Sequence, residues 1–348
     1  MPPTLETASA TADATATTAG DHDAQEAVRS RRHPLADLAV RHSILVLIVL
    51  LFVLFSILQP DTFPTGDNLR GVALGQAVSA LLALSVLVVV VTGEFDLSVG
   101  YVIGFAGVLA AKLTGDGMGG ALALVLTLAA GTAIGALNGI LVSRFRVNSL
   151  IATLGVGLAV SGLSVGVSGG QTLSEGVSTL YSDMARTSVL GLQTAIWSVL
   201  VVGVILYVVL IRTPLGRKMY ATGGSERVAR MVGIRTRLLK TGAFAVAGLI
   251  AALAGALQLG LSGAANPSYG SNLLLPAFAA VFLGSTTVRP GSFNVWGTVL
   301  AILLLAIGFS GLSLLGVPFW VEPVFQGVAL VLGVLLSRSE TRASLAAN

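Results

Sequence analysis

Ten stretches of this chain are almost free of charge and run close to the length of a bilayer crossing. They fall at about 43–59, 70–92, 97–113, 119–143, 148–168, 192–211, 239–261, 273–284, 293–312 and 320–337. A helix needs about 20 predominantly apolar residues to span a hydrocarbon core. The stretches lack the alternation of barrel strands, so each is expected to be a helix that satisfies its own backbone. The eighth is short. It is expected to be a half-helix or to extend back into "NPSYGSN". Composition agrees: 54% of residues are hydrophobic, 10% are charged and mean hydropathy is +0.90. Soluble domains carry about 25% charged residues, and one of this size could not hide so much apolar surface. The fold class expected is an all-α polytopic membrane protein of about ten transmembrane helices.

Basic residues orient such a chain. With the N-terminus in the cytoplasm, the inside segments are 1–42, 93–96, 144–147, 212–238, 285–292 and 338–348. Counting the border residue Lys240 inward, they hold 4, 0, 2, 8, 1 and 2 basic residues, or 17 of the 20. Only Arg70, Lys112 and Arg186 fall outside. Residues 1–40, rich in Ala, Thr and Asp, read as a disordered cytoplasmic tail. Residues 41–338 form the transmembrane domain and 339–348 a second cytoplasmic tail. The Arg31-Arg32 pair reads as a basic anchor rather than an export signal, because no small-residue cleavage site follows the first apolar segment.

Several chemistries are excluded. The chain has no cysteine, and its three histidines, His22, His33 and His42, all precede the membrane body. "GLSVG" (162–166) and "GVSGG" (166–170) match a serine-hydrolase elbow but lie in an apolar helical run with no histidine base after residue 42. None of Lys112, Lys218 and Lys240 follows a glycine, so no phosphate-binding P-loop is present. The chain carries no cofactor site and no ATPase site of its own. An ion-coupled transporter would need an acid at the midplane, but the acids between 43 and 337 lie in loops or at span borders.

Two cytoplasmic features carry the chemistry that remains. In 212–240, Pro214 ends a span and Gly223-Gly224 breaks the chain. Ser225 then caps a short helix, "ERVARMVGI", which Gly233 closes. Val228, Met231 and Val232 give that helix an apolar face that must bury against this protein or a partner. The second feature is "VTGEFDLSVG", 91–100, a tight connection between two spans. Gly93 permits the turn, Glu94 can pair with a basic loop residue, and Asp96 stands where the next helix needs an N-cap. Within the spans, Gln76, Asn138, Gln258 and Gln326 must face a pathway or bond helix to helix. Gly131, Gly135 and Gly139 recur every four residues and read as static close packing.

"TGEFDLSVG", "GALNGILVSRFRVNSLIATLG", "RTPLGRKMYATGGSERVARMVGI" and "LGSTTVRPGSFNVWGTVLAILLL" occur in this order. Together they resemble the permease subunits of ribose-type sugar ABC importers across about 43–337. Two departures stand out: the family reads T-G-G-I-D-L-S where Glu94 stands here, and its later loop is richer in glycine than "TTVRPGSFN". The resemblance implies a dimer, homodimeric or with a paralogue, in a bacterial cytoplasmic membrane. It also implies a separate ATPase that binds the ATP and an extracytoplasmic sugar-binding protein. The ATPase-coupling segment would be Gly224, Ser225, Glu226, Val228, Ala229, Met231 and Gly233, and the gate turn Gly93, Glu94, Asp96 and Ser98. The substrate implied is a pentose or hexose, with nucleosides or another small polar solute as the alternative.

Overall fold

The computed structural model describes residues 43–318 and 320–331. The expected tails at 1–40 and 339–348, the Arg31-Arg32 anchor and the end of the tenth segment lie outside the described residues. The elements are α1 (Ile44–Leu58), α2 (Gly66–Gly75), α3 (Ala77–Val90), α4 (Ser98–Gly115), α5 (Gly120–Ser143) and α6 (Ser149–Ser168). A short α7 (Thr179–Arg186) leads into a two-stranded hairpin, β1 (Ser188–Val189) and β2 (Leu192–Gln193). Then follow α8 (Thr194–Tyr207), ending in a π turn at Val208–Arg212, α9 (Pro214–Gly224), α10 (Glu226–Met231) and α11 (Thr236–Ser262). The series closes with α12 (Leu274–Gly284), α13 (Val295–Leu314) and α14 (Val321–Val331).

The chain is therefore an all-α polytopic membrane protein. Among the described residues, six helices are long and apolar enough to cross a bilayer, and α2 with α3, bent by 43°, makes a seventh. Shorter apolar helices, Ile44–Leu58, Ser271–Gly284 and Val321–Val331, occupy the first, eighth and tenth expected segments. The eighth is a half-length helix of 11 residues, extended by one 3-10 turn to Ser271.

The core sits around α3, where all residues from Ala77 to Val90 are buried. A helix apolar on every side belongs inside a protein, and α8, α11, α12 and α13 pack around this one. Its Ser85 hydroxyl donates to the Ala247 carbonyl at 2.8 Å. The tightest helix pairing is α5 on α11. A Cβ on Gly131 would stand 2.5 Å from that of Ala252, and one on Gly139 would stand 2.6 Å from the Thr241 Cα. One on Gly135 would strike the Phe244 carbonyl. The four-residue glycine spacing is thus a close-packed seam.

The connections sort to two ends. At one, the 91–97 turn touches both the start of α6 and the 223–240 segment, and the Tyr220 hydroxyl donates to the Phe293 carbonyl at 2.6 Å. At the other, Leu173 pairs with Ala265, and Gly176 packs on Gly115. These are the two groups that the basic-residue count assigns to opposite sides.

Candidate coupling site

The expected 212–240 loop is two helices. Pro214 does not merely stop a span: it opens α9 at its first position, with the Thr213 hydroxyl accepting from the Gly216 amide at 3.4 Å. A proline there loses no helical hydrogen bond, and its φ already suits a helix. After Gly223-Gly224, Ser225 caps α10, its hydroxyl accepting from the Val228 amide at 3.4 Å. Gly233, at φ +82°, closes it: the Ile234 amide donates to the Ala229 carbonyl and the Gly233 amide to the Arg230 carbonyl. This pair of bonds is a Schellman closure, which needs a left-handed residue.

The faces of α10 are distinct. Val228, Met231 and Val232 are 57%, 80% and 71% exposed. No described residue covers them. Ala229, named within the same coupling segment, is buried at 2%. Glu226 also turns inward, so neither it nor Ala229 belongs to the outer face. The periodicity of six residues is too short to fix which side faces the protein, and the contacts of α10 decide it.

The turn meets the end of α9, just before this helix, directly. Gly93 has φ +83°, and a Cβ on it would stand 3.1 Å from the Gly223 Cα. A Cβ on Gly223 would collide with the Val91 carbonyl. Backbone lies on backbone, which only glycine allows.

A lysine near the start of α11 ties the turn to α10 by charge. The Lys240 ammonium, its side chain only 7% exposed, donates to Glu94 Oε1 at 2.6 Å and to Glu226 Oε2 at 2.7 Å. Glu226 also meets Arg230 at 3.1 Å and accepts from the Thr236 hydroxyl at 3.1 Å. Burial works against its ionised form. The Lys240 hydrogen bond and charge, with Thr236 and Arg230, outweigh burial and hold the carboxyl below its ordinary value. The partner expected for Glu94 is therefore Lys240, which the sequence marked only as a basic residue at a span border. The one signal pointing to it was Glu94 itself, an acid that needs a countercharge beside the apolar spans.

Asp96 is fully buried between the spans. Its Oδ1 accepts from the Ser98 amide at 2.8 Å and the Ser98 hydroxyl at 2.6 Å. The helix begins one residue later than expected. Leu97 takes the cap position with no side-chain bond, and Asp96 holds the first turn from just upstream. The Asn138 amide donates to the Ser98 hydroxyl at 2.7 Å, tying α5 to the same point. Among the described residues, Asp96 Oδ2 and Asn138 Oδ1 find no hydrogen-bond partner. Burial, opposed by the Ser98 and Val99 hydrogen bonds, pushes the Asp96 carboxyl from 3.8 up to about 6. The Phe95 and Leu97 amides donate to Ser149 Oγ and Thr153 Oγ1, fastening the turn to α6.

The four amide residues do not converge. Asn138 bonds helix to helix. Gln76 sits at the 43° bend between α2 and α3. Gln258 lines a cleft at the opposite end from the turn. Gln326 lies 3.5 Å from Glu322, one helical turn away. Among the described residues, no group of three or more His, Cys, Asp or Glu is placed to hold a metal.

Residues 68–334 match the family model described as the permease component of branched-chain amino acid transport systems. The ribose import permease protein RbsC of Escherichia coli (strain K12) is 31% identical over 318 residues, covering 90% of this chain and 99% of that protein. The L-arabinose ABC transporter permease protein AraH of Azospirillum brasilense is 30% identical over 316 residues, 91% of this chain and 93% of its own length. The autoinducer 2 import system permease protein LsrD of Escherichia coli O9:H4 (strain HS) is 33% identical over 264 residues, 74% of this chain and 80% of its own. No solved structure matches the chain.

Proposed function

The chain belongs to this family of transport-system permease components, and from that premise we propose that it forms the translocation pathway of an ATP-driven importer for a monosaccharide. A separate ATPase docks on α10 and binds the ATP. An extracytoplasmic protein delivers the sugar, and a second permease copy completes the route. The membrane is the bacterial cytoplasmic membrane, with both chain termini inside.

One observation carries the coupling reading. α10, with its exposed apolar face, is joined to the turn between α3 and α4 by the Lys240 bridge, and the end of α9 just before it rests on the same turn through the Gly93–Gly223 contact. A force on α10 therefore reaches a turn that fixes three spans: α4 through Asp96, α5 through Asn138 and α6 through Ser149 and Thr153. Support for a neutral substrate comes from the spans themselves, where the acids are confined to loops and borders and offer no fixed countercharge. The relatives named for ribose and L-arabinose point to the same class.

Uptake of radiolabelled D-ribose and L-arabinose into proteoliposomes holding the permease, its ATPase and its binding protein tests this. Uptake should require ATP and the binding protein together, and uptake without either sinks the reading. A cysteine placed at Ser178, in a chain that has none of its own, should react only from the outside, and reaction from the cytoplasmic side would reverse the orientation.

A further inference from the structure

At the end of the bundle away from the coupling turn, two cavities lie side by side and share Thr172 in their linings. The outer is a polar basin of about 550 Å³ between the ends of α4 and the 171–176 segment. Its charged groups are Lys112 and Asp116, paired with each other at 2.7 Å, and Glu175. The inner is a cleft of about 220 Å³ between α4, α11 and the 264–269 loop. Thr172 lines both. Gly107 and Gly255 open the inner cleft, which reaches seven residues down α11 from Ser262, a depth of about 10 Å at the helical rise.

The inner lining changes character. No charged side chain takes part; the polar groups are Thr172, Gln258, Ser262, Asn266 and Tyr269. Ser262 is satisfied by its own turn, bonding Gln258 O and Ala264 O. Asn266 accepts from the Ser268 amide with its Oδ1 only. The Gln258 amide and the Thr172 and Tyr269 hydroxyls hydrogen-bond to nothing among the described residues. Thr172 is exposed at the mouth, whereas Gln258 and Tyr269 are half-buried, and polar groups within a span are costly unless they face water, protein or a ligand. Such a lining discriminates by hydroxyl and amide contacts and offers no charge to attract an ion.

We propose that the inner cleft is a binding subsite for a neutral polyhydroxylated solute on the outer half of the transport route. The Gln258 amide and Tyr269 hydroxyl bond its hydroxyl groups, and Thr172 faces both it and the outer basin. This rests on the importer reading above and adds a place to it: the solute pauses within the permease after its delivery. Because the lining is uncharged, the subsite accepts neutral sugars and rejects their phosphorylated or carboxylated forms.

The native absence of cysteine makes the test direct. Thr172→Cys is assembled with its ATPase and binding protein and exposed to a water-soluble methanethiosulfonate, with and without D-ribose or L-arabinose. The cysteine should react, the transported sugar should slow the reaction, and the sugar 5-phosphate should not. Adding Gln258→Leu should raise the half-protecting sugar concentration roughly two- to tenfold, the worth of one neutral hydrogen bond. Should Thr172→Cys fail to assemble, Gln258→Cys serves as the reporter, with Tyr269→Phe as the second change. An unreactive cysteine, protection by no neutral sugar, or half-protection unmoved by the second change overturns the site while wild-type uptake persists. If the wild-type complex takes up no neutral sugar at all, the importer reading fails first and the subsite falls with it.

Discussion

Lys240→Met removes the positive charge from between two carboxylates and leaves most of the side-chain volume in place. At an effective dielectric of about 20, the attraction across the 2.6 Å contact to Glu94 is about 6 kcal/mol before desolvation is subtracted. What the variant loses is smaller, because removing one partner of a buried pair typically costs about 3–5 kcal/mol. The two carboxylates share that loss unequally. Glu226 is 30% exposed and keeps Arg230 and Thr236. Glu94, 17% exposed, has no ion pair but Lys240 among the described residues. Solvent reaches both acids in part, so the expected destabilisation is at the lower end, about 3 kcal/mol. Glu94→Gln added to Lys240→Met should recover most of it, because no uncompensated charge then faces Glu226 at close range. Thermal unfolding of the detergent-purified permease reads this through Trp197, Trp296 and Trp320, with uptake per ATP hydrolysed as the second readout. The single variant should unfold several degrees lower and hydrolyse ATP with little uptake, and the double should regain stability. Equal melting temperatures and equal coupling in wild type, single and double variants would show that the bridge neither stabilises nor transmits.

Three further outcomes follow from the same site. Val228→Asp with Met231→Asp changes two residues that are 57% and 80% exposed; the permease should fold normally yet lose co-purification with its ATPase, and retained assembly with normal uptake removes α10 as the dock. Asp96→Asn should stabilise the protein at neutral pH. The native carboxyl titrates near 6 rather than 3.8, so the folded state holds its proton longer than the unfolded chain and wild-type stability falls as pH rises between about 4 and 6. The gain from Asn is thus up to about 3 kcal/mol at pH 8, vanishing below about pH 4; melting curves across that window check it, and a gap independent of pH refutes it. If holding the first turn of α4 is the role of Asp96, Asn also keeps most uptake while Ala loses it. Gly223→Ala places a methyl against the Val91 carbonyl; it should cut uptake while leaving ATPase binding intact, and unchanged uptake would mean the Gly93–Gly223 contact carries no motion.

The legible parts of this molecule were those set by local chemistry. The apolar segments announce the helices because backbone groups in lipid must pair within each segment. The ends of α10 were readable because Ser225 and Gly233 are caps whose bonds stay within a few residues. The glycine seam on α5 was readable because its spacing matches a helix face. What remained hidden depends on partners far along the chain. Glu94 and Lys240 are separated by 146 positions, and Ser98 and Asn138 by 40. Pro214 marks the end of a span as expected, but that it also opens α9 was not legible, because a proline can follow one helix or begin the next.

The wholly buried helix α3 also sets an order of manufacture. Its Ser85 hydroxyl rests on the Ala247 carbonyl, 162 positions downstream. At roughly 5–20 residues per second, that partner leaves the ribosome about 8 to 32 s after Ser85 does. Throughout that interval the future centre of the molecule is without α11, α12 and α13. Its serine must borrow a neighbouring carbonyl or a provisional partner in the bilayer. The heart of this protein is thus threaded early and enclosed late, and a chain cut short before α11 never acquires an interior.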